Sequence, residues 1–270
     1  MTYEQWLRQC RLPRLEGRLL LQQAAGLTHA QIISRGHEAL PAELAARLNA
    51  LVGRRLAGEP MAYLLGEREF FGRPFQVNAD VLIPRPETEQ LVEAVLARLP
   101  AHGQVWDLGT GSGAIAVTLA CERPDAFVRA SDLSTAALDV ARGNARRLNA
   151  QIEFACGSWF AALPAPDRRF DVLVSNPPYI EAGDAHLHQG DLRFEPAAAL
   201  TDFGDGLSHI RTLAAGAAAY LRPNGWLLLE HGWNQGQAVR DILAAHAWRH
   251  IATLSDLAGL DRITLGAADH

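Results

Sequence analysis

The 270-residue sequence predicts an α/β protein, a doubly wound sheet of seven strands preceded by a small N-terminal helical bundle. Three observations carry this expectation. From residue 104 on, seven short apolar segments recur (QVWDL, FVRASD, IEFAC, FDVLVSN, GWLLLE, WRHIATLS and DRITLGA), and helical stretches such as STAALDVARGNARRLN (134–149) separate the earlier ones. A glycine-rich turn, DLGTGSGAIAVTLA (107–120), follows the first segment and opens a helix. Up to about residue 58, by contrast, apolar residues repeat at helical spacing.

The elements follow in order. RLLLQQAAGLTHAQIISRG (18–36) predicts two short helices broken at Gly26, with Thr28 as an N-cap. PAELAARLNALVGRRLAG (41–58) sets Leu44, Leu48, Leu51, Val52 and Leu56 at helical spacing behind a proline that suits a first turn. In FFGRPFQVNADVLIPRPETEQLVEAVLARL (70–99), FQV and VLI predict a hairpin around Asn-Ala-Asp, Pro84 and Pro86 end it, and Glu87 to Leu99 should be helical. A linker is expected near 59–75, which divides the chain into residues 1–75, helical bundle and linker, and 76–270, the α/β domain.

Composition narrows the function classes. Hydrophobic residues at 49% and charged residues at 20% describe an ordinary globular chain. No apolar run approaches the roughly 20 residues that cross a bilayer, and MTYEQWLRQC lacks the apolar core of a signal peptide. No membrane partner and a cytoplasmic location are therefore expected. Cys10, Cys121 and Cys156 have no CxxC spacing and read as buried thiols in a reducing compartment. All 25 basic residues are arginine, which excludes a Schiff-base lysine and a GxxxxGK[ST] phosphate loop. Residues 1–75 hold 10 Arg against 7 Glu, a formal +3, whereas residues 76–270 carry −8. An acidic larger part argues against a broad nucleic-acid surface, so no direct nucleic-acid partner is expected.

The turn at Gly109-Thr110-Gly111-Ser112-Gly113 lets backbone approach a ligand closely, and the helix behind it turns free N–H groups toward that ligand. Asp132 closes the second strand of the sheet 21 positions after Gly111, where an acid could accept both hydroxyls of a ribose. Loop and acid fit nicotinamide dinucleotide and S-adenosylmethionine equally. Asp107 reads as a helix cap or a partner for loop amides. Trp159, just beyond the third strand, reads either as a cover for a purine face or as a core residue.

The fourth strand runs into Asn176-Pro177-Pro178-Tyr179, which topology places beside the glycine loop. A residue before proline is pushed to extended backbone, and prolines donate no N–H. The Asn176 side-chain carbonyl and the Pro177 main-chain carbonyl therefore form two fixed acceptors, and Tyr179 adds an aromatic face. That set matches a planar NH₂ group, either a carboxamide or a nucleobase amine. Such a nitrogen is a poor nucleophile because its lone pair is delocalised. Held and oriented toward a sulfonium methyl, it needs neither a metal nor a strong base.

DLGTGSG, Asp132 and SNPPYI together resemble the amino-methyltransferases that use S-adenosylmethionine. EPMAYLLGEREFFGRPFQVNADVLIPRPETE (59–89), DLRFEP (191–196) and GWLLLEHGWNQG (225–236) are similar to the release-factor glutamine methyltransferases. The resemblance implies a seven-stranded Rossmann-like methyltransferase sheet with its last strand antiparallel, and a helical domain that recognises the substrate. It implies that Gly109 to Gly113 contact S-adenosylmethionine, that Asp132 holds the ribose and that Trp159 lies by the adenine. Asn176 to Tyr179 would hold the glutamine of the Gly-Gly-Gln motif of class I peptide-chain release factors. The related readings are methylation of a ribosomal-protein glutamine and of a nucleobase amine; a nicotinamide oxidoreductase would leave Asn176 to Tyr179 without a role. His186, His188 and Asp191 read as surface residues and no metal is expected. Arg85, Glu87 and Thr88 read as a helix start or as residues closing over the site, and Glu195 stays open between structure and site.

Overall fold

Seven strands assemble into one sheet in the computed structural model, which describes residues 1–163 and 169–269. They are β3 (Gln104–Leu108), β4 (Phe127–Asp132), β5 (Glu153–Cys156), β6 (Phe170–Ser175), β7 (Leu221–Glu230), β8 (Arg249–Ser255) and β9 (Asp261–Ala267). Their order across the sheet is β5-β4-β3-β6-β7-β9-β8. The strands from β5 through β7 are parallel, whereas β9 runs antiparallel between β7 and β8. Strand patterning alone predicts parallel pairing throughout, and the family resemblance implies the reversed last strand. The reversal has a simple cause. Only residues 256–260 join β8 to β9, too few for the crossover that parallel neighbours require.

The buried strands carry apolar side chains on both faces, as a sheet covered on both sides must. Val105, Val128, Val172, Val174 and Leu228 pack on one face with α6 (Glu87–Leu96) and α7 (Ala114–Glu122). Trp106, Leu173, Leu227 and Leu229 pack on the other with α10 (Ser208–Gly216) and α11 (Gly236–Ala245). The chain reverses direction across the sheet between β3 and β6, and buried bonds tie β3 to both its neighbours, β6 and β4. Ser175 Oγ donates to the Leu108 carbonyl at 2.6 Å, and Trp106 Nε1 donates to Ser131 Oγ at 2.9 Å.

The chain divides into two compact units, residues 1–68 and 69–270. The first holds α1 (Tyr3–Gln9), α2 (Arg14–Ala25), α3 (His29–Ser34), α4 (Ala42–Leu56) and α5 (Met61–Leu65). Trp6, Leu20, Leu21, Ile32 and Leu48 are its buried centre. The break at Gly26 is a left-handed C-cap, and Thr28 caps α3 with a reciprocal capping box to Gln31.

Three expectations are corrected. The hairpin lies one step earlier than FQV and VLI suggest, between β1 (Glu67–Phe70) and β2 (Arg73–Gln76). Phe71 and Gly72 both have positive φ, 52° and 71°, the signature of a two-residue turn that matches strand twist. VLI pairs with no strand; Val81 and Ile83 are buried instead, and Asn78–Asp80 make a local turn. Residues 59–75 thus contain α5 and the hairpin and form no open linker. The cysteines also differ. Cys10 and Cys121 are half-buried, Cys156 is exposed, and all three are free thiols.

Candidate active site

The carboxyl ends of β3, β4, β5 and β6 open into one cavity of about 370 Å³, a size typical of small-molecule sites. Gly109, Thr110, Gly111, Ser112, Asp132, Trp159, Asn176 and Pro178 line it. Gly113, Pro177 and Tyr179 do not: Gly113 caps α7, Pro177 is buried, and Tyr179 is half-buried.

The glycine loop is held from below. Gly109 and Thr110 both donate backbone N–H groups to the Ser131 carbonyl at 2.9 Å. The Thr110 hydroxyl donates to Asp107 Oδ2 at 2.6 Å, and the Ala116 N–H of α7 also reaches that carboxylate. Asp107 is fully buried, and its other oxygen makes no hydrogen bond among the described residues. Burial, reinforced by the nearby Asp132 charge, pushes its carboxyl up to about 7 against the Thr110 and Ala116 bonds. Gly109 and Gly113 have φ of 78° and 82°. At Gly113 a Cβ would sit 3.1 Å from the Ala141 Cβ, so only glycine lets α7 and α8 (Thr135–Arg147) approach this closely.

Asp132, at the end of β4, accepts the Gly111 N–H through Oδ2 and the Ser134 N–H through Oδ1, both at 2.9 Å. Each carboxylate oxygen keeps a second lone pair for a ligand hydroxyl. Trp159, with φ of 47°, lays its ring against Gly109 and, at 5.1 Å between centroids, against His209. Burial lowers the His209 pKa, which keeps its imidazole neutral beside the ring. Open space above Gly111, a carboxylate and a flat aromatic wall fit an adenosine-bearing ligand.

The cavity wall around Asn176 is polar. Asn176 leaves β6 here and donates through Nδ2 to Thr88 Oγ1 at 3.3 Å. Arg85 lines the same cavity and pairs with Glu195, whose buried carboxylate also takes the Ile83 N–H at 3.0 Å. Arg85 and Thr88 thus line the cavity, while Glu87 is exposed in the first turn of α6 and does not line it. Behind Asn176, the Tyr179 hydroxyl donates to Glu230 Oε1 at 3.3 Å, and its carbonyl accepts from Gln235 Nε2 at 2.9 Å. His186 and His188 lie in an exposed 3₁₀ turn, where His186 pairs with Asp184 at 2.7 Å. No metal-binding cluster occurs among the described residues.

Several contributors escaped the sequence reading. Asn144 is fully buried in α8; its Nδ2 donates to the Ser112 carbonyl at 2.9 Å and the Gln76 carbonyl at 3.0 Å, and its Oδ1 takes the Gln76 N–H at 2.7 Å. Its signal was available: a polar residue three positions after Ala141, on the face that buries Leu138 and Ala145. Glu230 also left a trace, an acid ending the apolar run LLL at a strand's carboxyl end. His209 left none.

Comparison with known proteins agrees with this architecture. The PrmC N-terminal domain family matches residues 3–66, and the methyltransferase small domain family matches residues 86–205. A release factor glutamine methyltransferase of Neisseria gonorrhoeae is 62% identical over 98% of this chain and 97% of its own length. One from Bordetella pertussis is 52% identical over 94% and 95%. Among solved structures, a methyltransferase from Pyrococcus furiosus has a TM-score of 0.56 at 17% identity, covering 81% of this chain and 98% of that one. A Thermus thermophilus 16S rRNA methyltransferase in complex with AdoMet and guanosine scores 0.55 at 21% identity, covering 75% and 49%. These distant likenesses show the fold alone.

Proposed function

Because the chain belongs to the family of release factor glutamine methyltransferases, we propose that it methylates the side-chain amide nitrogen of the Gly-Gly-Gln glutamine in class I peptide-chain release factors, with S-adenosyl-L-methionine as donor. One observation carries this reading beyond family membership: the Asn176 amide lines the same cavity as the glycine loop, Asp132 and Trp159. Bound S-adenosylmethionine supplies an electrophilic methyl carbon and leaves as S-adenosylhomocysteine.

The chain's own residues do the rest. Gly109 to Ser112 cradle the donor, Asp132 accepts its ribose hydroxyls, and Trp159 with neutral His209 covers the adenine. Asn176 Oδ1 accepts an amide hydrogen of the substrate glutamine and turns its nitrogen toward the methyl. The nitrogen gains positive charge as the new bond forms, so its N–H groups become stronger donors. Fixed acceptors therefore bind the transition state more tightly than the ground state. The methylated nitrogen then gives up one proton to water. Residues 1–75 serve in this reading as the substrate-recognition part. The absence of any helix long and apolar enough to cross a membrane, among the described residues, supports a cytoplasmic enzyme.

The test is incubation with labelled S-adenosylmethionine, a purified class I release factor and purified ribosomal proteins, followed by mass spectrometry. Label on the Gly-Gly-Gln glutamine is the expected result. Label on a ribosomal-protein glutamine alone would replace the substrate, and no label on any glutamine would overturn the reading.

A further inference from the structure

A carboxamide has two ends of almost equal size and opposite hydrogen-bonding sense. Asn176 is useful to a substrate NH₂ in one orientation only, with Oδ1 toward the cavity. Turned over, it would present its own N–H groups to those of the substrate. Something must therefore choose between the two.

In the structure Asn176 Nδ2 donates to Thr88 Oγ1 at 3.3 Å. Thr88 is buried in the first turn of α6, with its hydroxyl close enough to Glu230, at the end of β7, to hold that acid's pKa down, and Glu230 Oε2 is buried with no hydrogen-bond partner among the described residues, an open acceptor for the Thr88 proton. Glu230 is 1% exposed, and its Oε1 accepts the Tyr179 hydroxyl at 3.3 Å. We propose that Glu230, acting through Thr88, sets the orientation of the Asn176 amide, so that both are positioning residues for the methyl acceptor, and that the ionised carboxylate is the working state. The proposal rests on the glutamine-methylation reading.

The logic is one of donor and acceptor capacity. An ionised carboxylate only accepts. Thr88 must then spend its single proton on Glu230, which leaves its oxygen as an acceptor. Only Nδ2 of Asn176 can satisfy that acceptor, and Oδ1 is turned to the cavity. A protonated Glu230 can donate to Thr88 instead. The Thr88 proton is then free to serve Oδ1, and the inverted amide becomes accessible.

The groups facing Glu230 put this switch within reach of ordinary pH. Burial raises its carboxyl to about 7, aided by the Glu87 charge, while the Thr88 and Tyr179 hydroxyls and the Arg262 charge work in the opposite direction. Raised acids are neutral below their pKa, so the aligning state is lost as pH falls through about 7.

The experiment measures single-turnover methyl transfer to a purified class I release factor between about pH 5.5 and 9, with cofactor affinity measured in parallel by calorimetry. Wild type should lose rate about tenfold per pH unit below the Glu230 midpoint and plateau above it. Thr88→Val should cut the plateau rate roughly 10- to 100-fold, the scale of misorienting a reacting group, with cofactor affinity unchanged. Thr88→Ser should restore the rate to within about threefold, since it keeps the hydroxyl. Glu230→Gln should lower the plateau and abolish the break near pH 7. Wild-type rates in Thr88→Val, or an unaltered pH break in Glu230→Gln, would overturn the proposal. A second readout needs no substrate: the ¹⁵N–¹H resonances of the Asn176 side chain should titrate with a midpoint near pH 7 in wild type and be flat in Glu230→Gln. A titrating amide in an enzyme that methylates no release-factor glutamine would sink the substrate reading while supporting the positioning one. A flat wild-type amide would sink the positioning.

Discussion

Asp132 Oδ2 accepts the backbone N–H of Gly111 at 2.9 Å, so the acid at the end of β4 is also a strut of the glycine loop. Removing its charge weakens two things together, the acceptor for a ribose diol and the loop that the ligand rests on. Asp132→Asn keeps the size and one carbonyl acceptor. We expect S-adenosylmethionine affinity to fall about tenfold or more, equivalent to at least about 1.4 kcal/mol, measured by calorimetry. Unchanged affinity would place the cofactor elsewhere.

Asn176→Ala separates positioning from folding. Its amide makes one modest bond, to Thr88, so stability should change by about 1 kcal/mol or less. Transfer to a release factor should fall by about 10² to 10³, the usual loss for one oriented group at a reacting centre. Cofactor affinity should hold. Rapid-quench kinetics at wild-type speed would reduce Asn176-Pro177-Pro178-Tyr179 to a stiff turn.

The buried Asp107 makes a prediction about pH and stability. Its carboxyl is raised from 3.8 to about 7, so between those values the folded chain keeps a proton that the unfolded chain has released. Stability should therefore fall as pH rises through that window and level off above it. Glu230 adds a similar slope from 4.5 to about 7. Asp107→Asn should remove one proton's share, about 1.4 kcal/mol per pH unit, from urea midpoints taken at successive pH values. An unchanged slope would show that Asp107 ionises normally.

Asn144→Ala strips three hydrogen bonds, one of them fully buried, that tie α8 to Ser112 and Gln76. It leaves the Gln76 N–H and the Ser112 carbonyl without these partners. Unfolding free energy should drop by about 2–4 kcal/mol, and because Ser112 lines the cavity, cofactor affinity should fall with it. A loss of stability without any loss of affinity would separate the loop's fold from its function.

Glycines, strand-ending acids and Asn-Pro-Pro-Tyr were legible because each breaks a local pattern for a local reason. Gly109 must adopt positive φ, Asp132 ends an otherwise apolar strand, and Asn176 faces a proline. The hairpin was misplaced because Val81 and Ile83 satisfy a strand pattern with burial and no pairing partner. His209 and the Arg85–Glu195 pair depend on segments more than 30 residues apart in sequence meeting at the cavity, and no short window records that. The polarity of the Asn176 amide was equally hidden, because it is set by residues 88 positions before it and 54 after it.

The strand order also constrains how the chain folds. β9 follows β8 in the sequence yet lies between β8 and β7. Until residues 261–267 are in place, β7 has no neighbour on its outer edge and β8 has nothing to pair with. A chain cut before residue 261 would present an open, apolar strand edge of the kind that recruits chaperones or self-associates. Closure of the sheet is then a single late event, in which one strand zips two others.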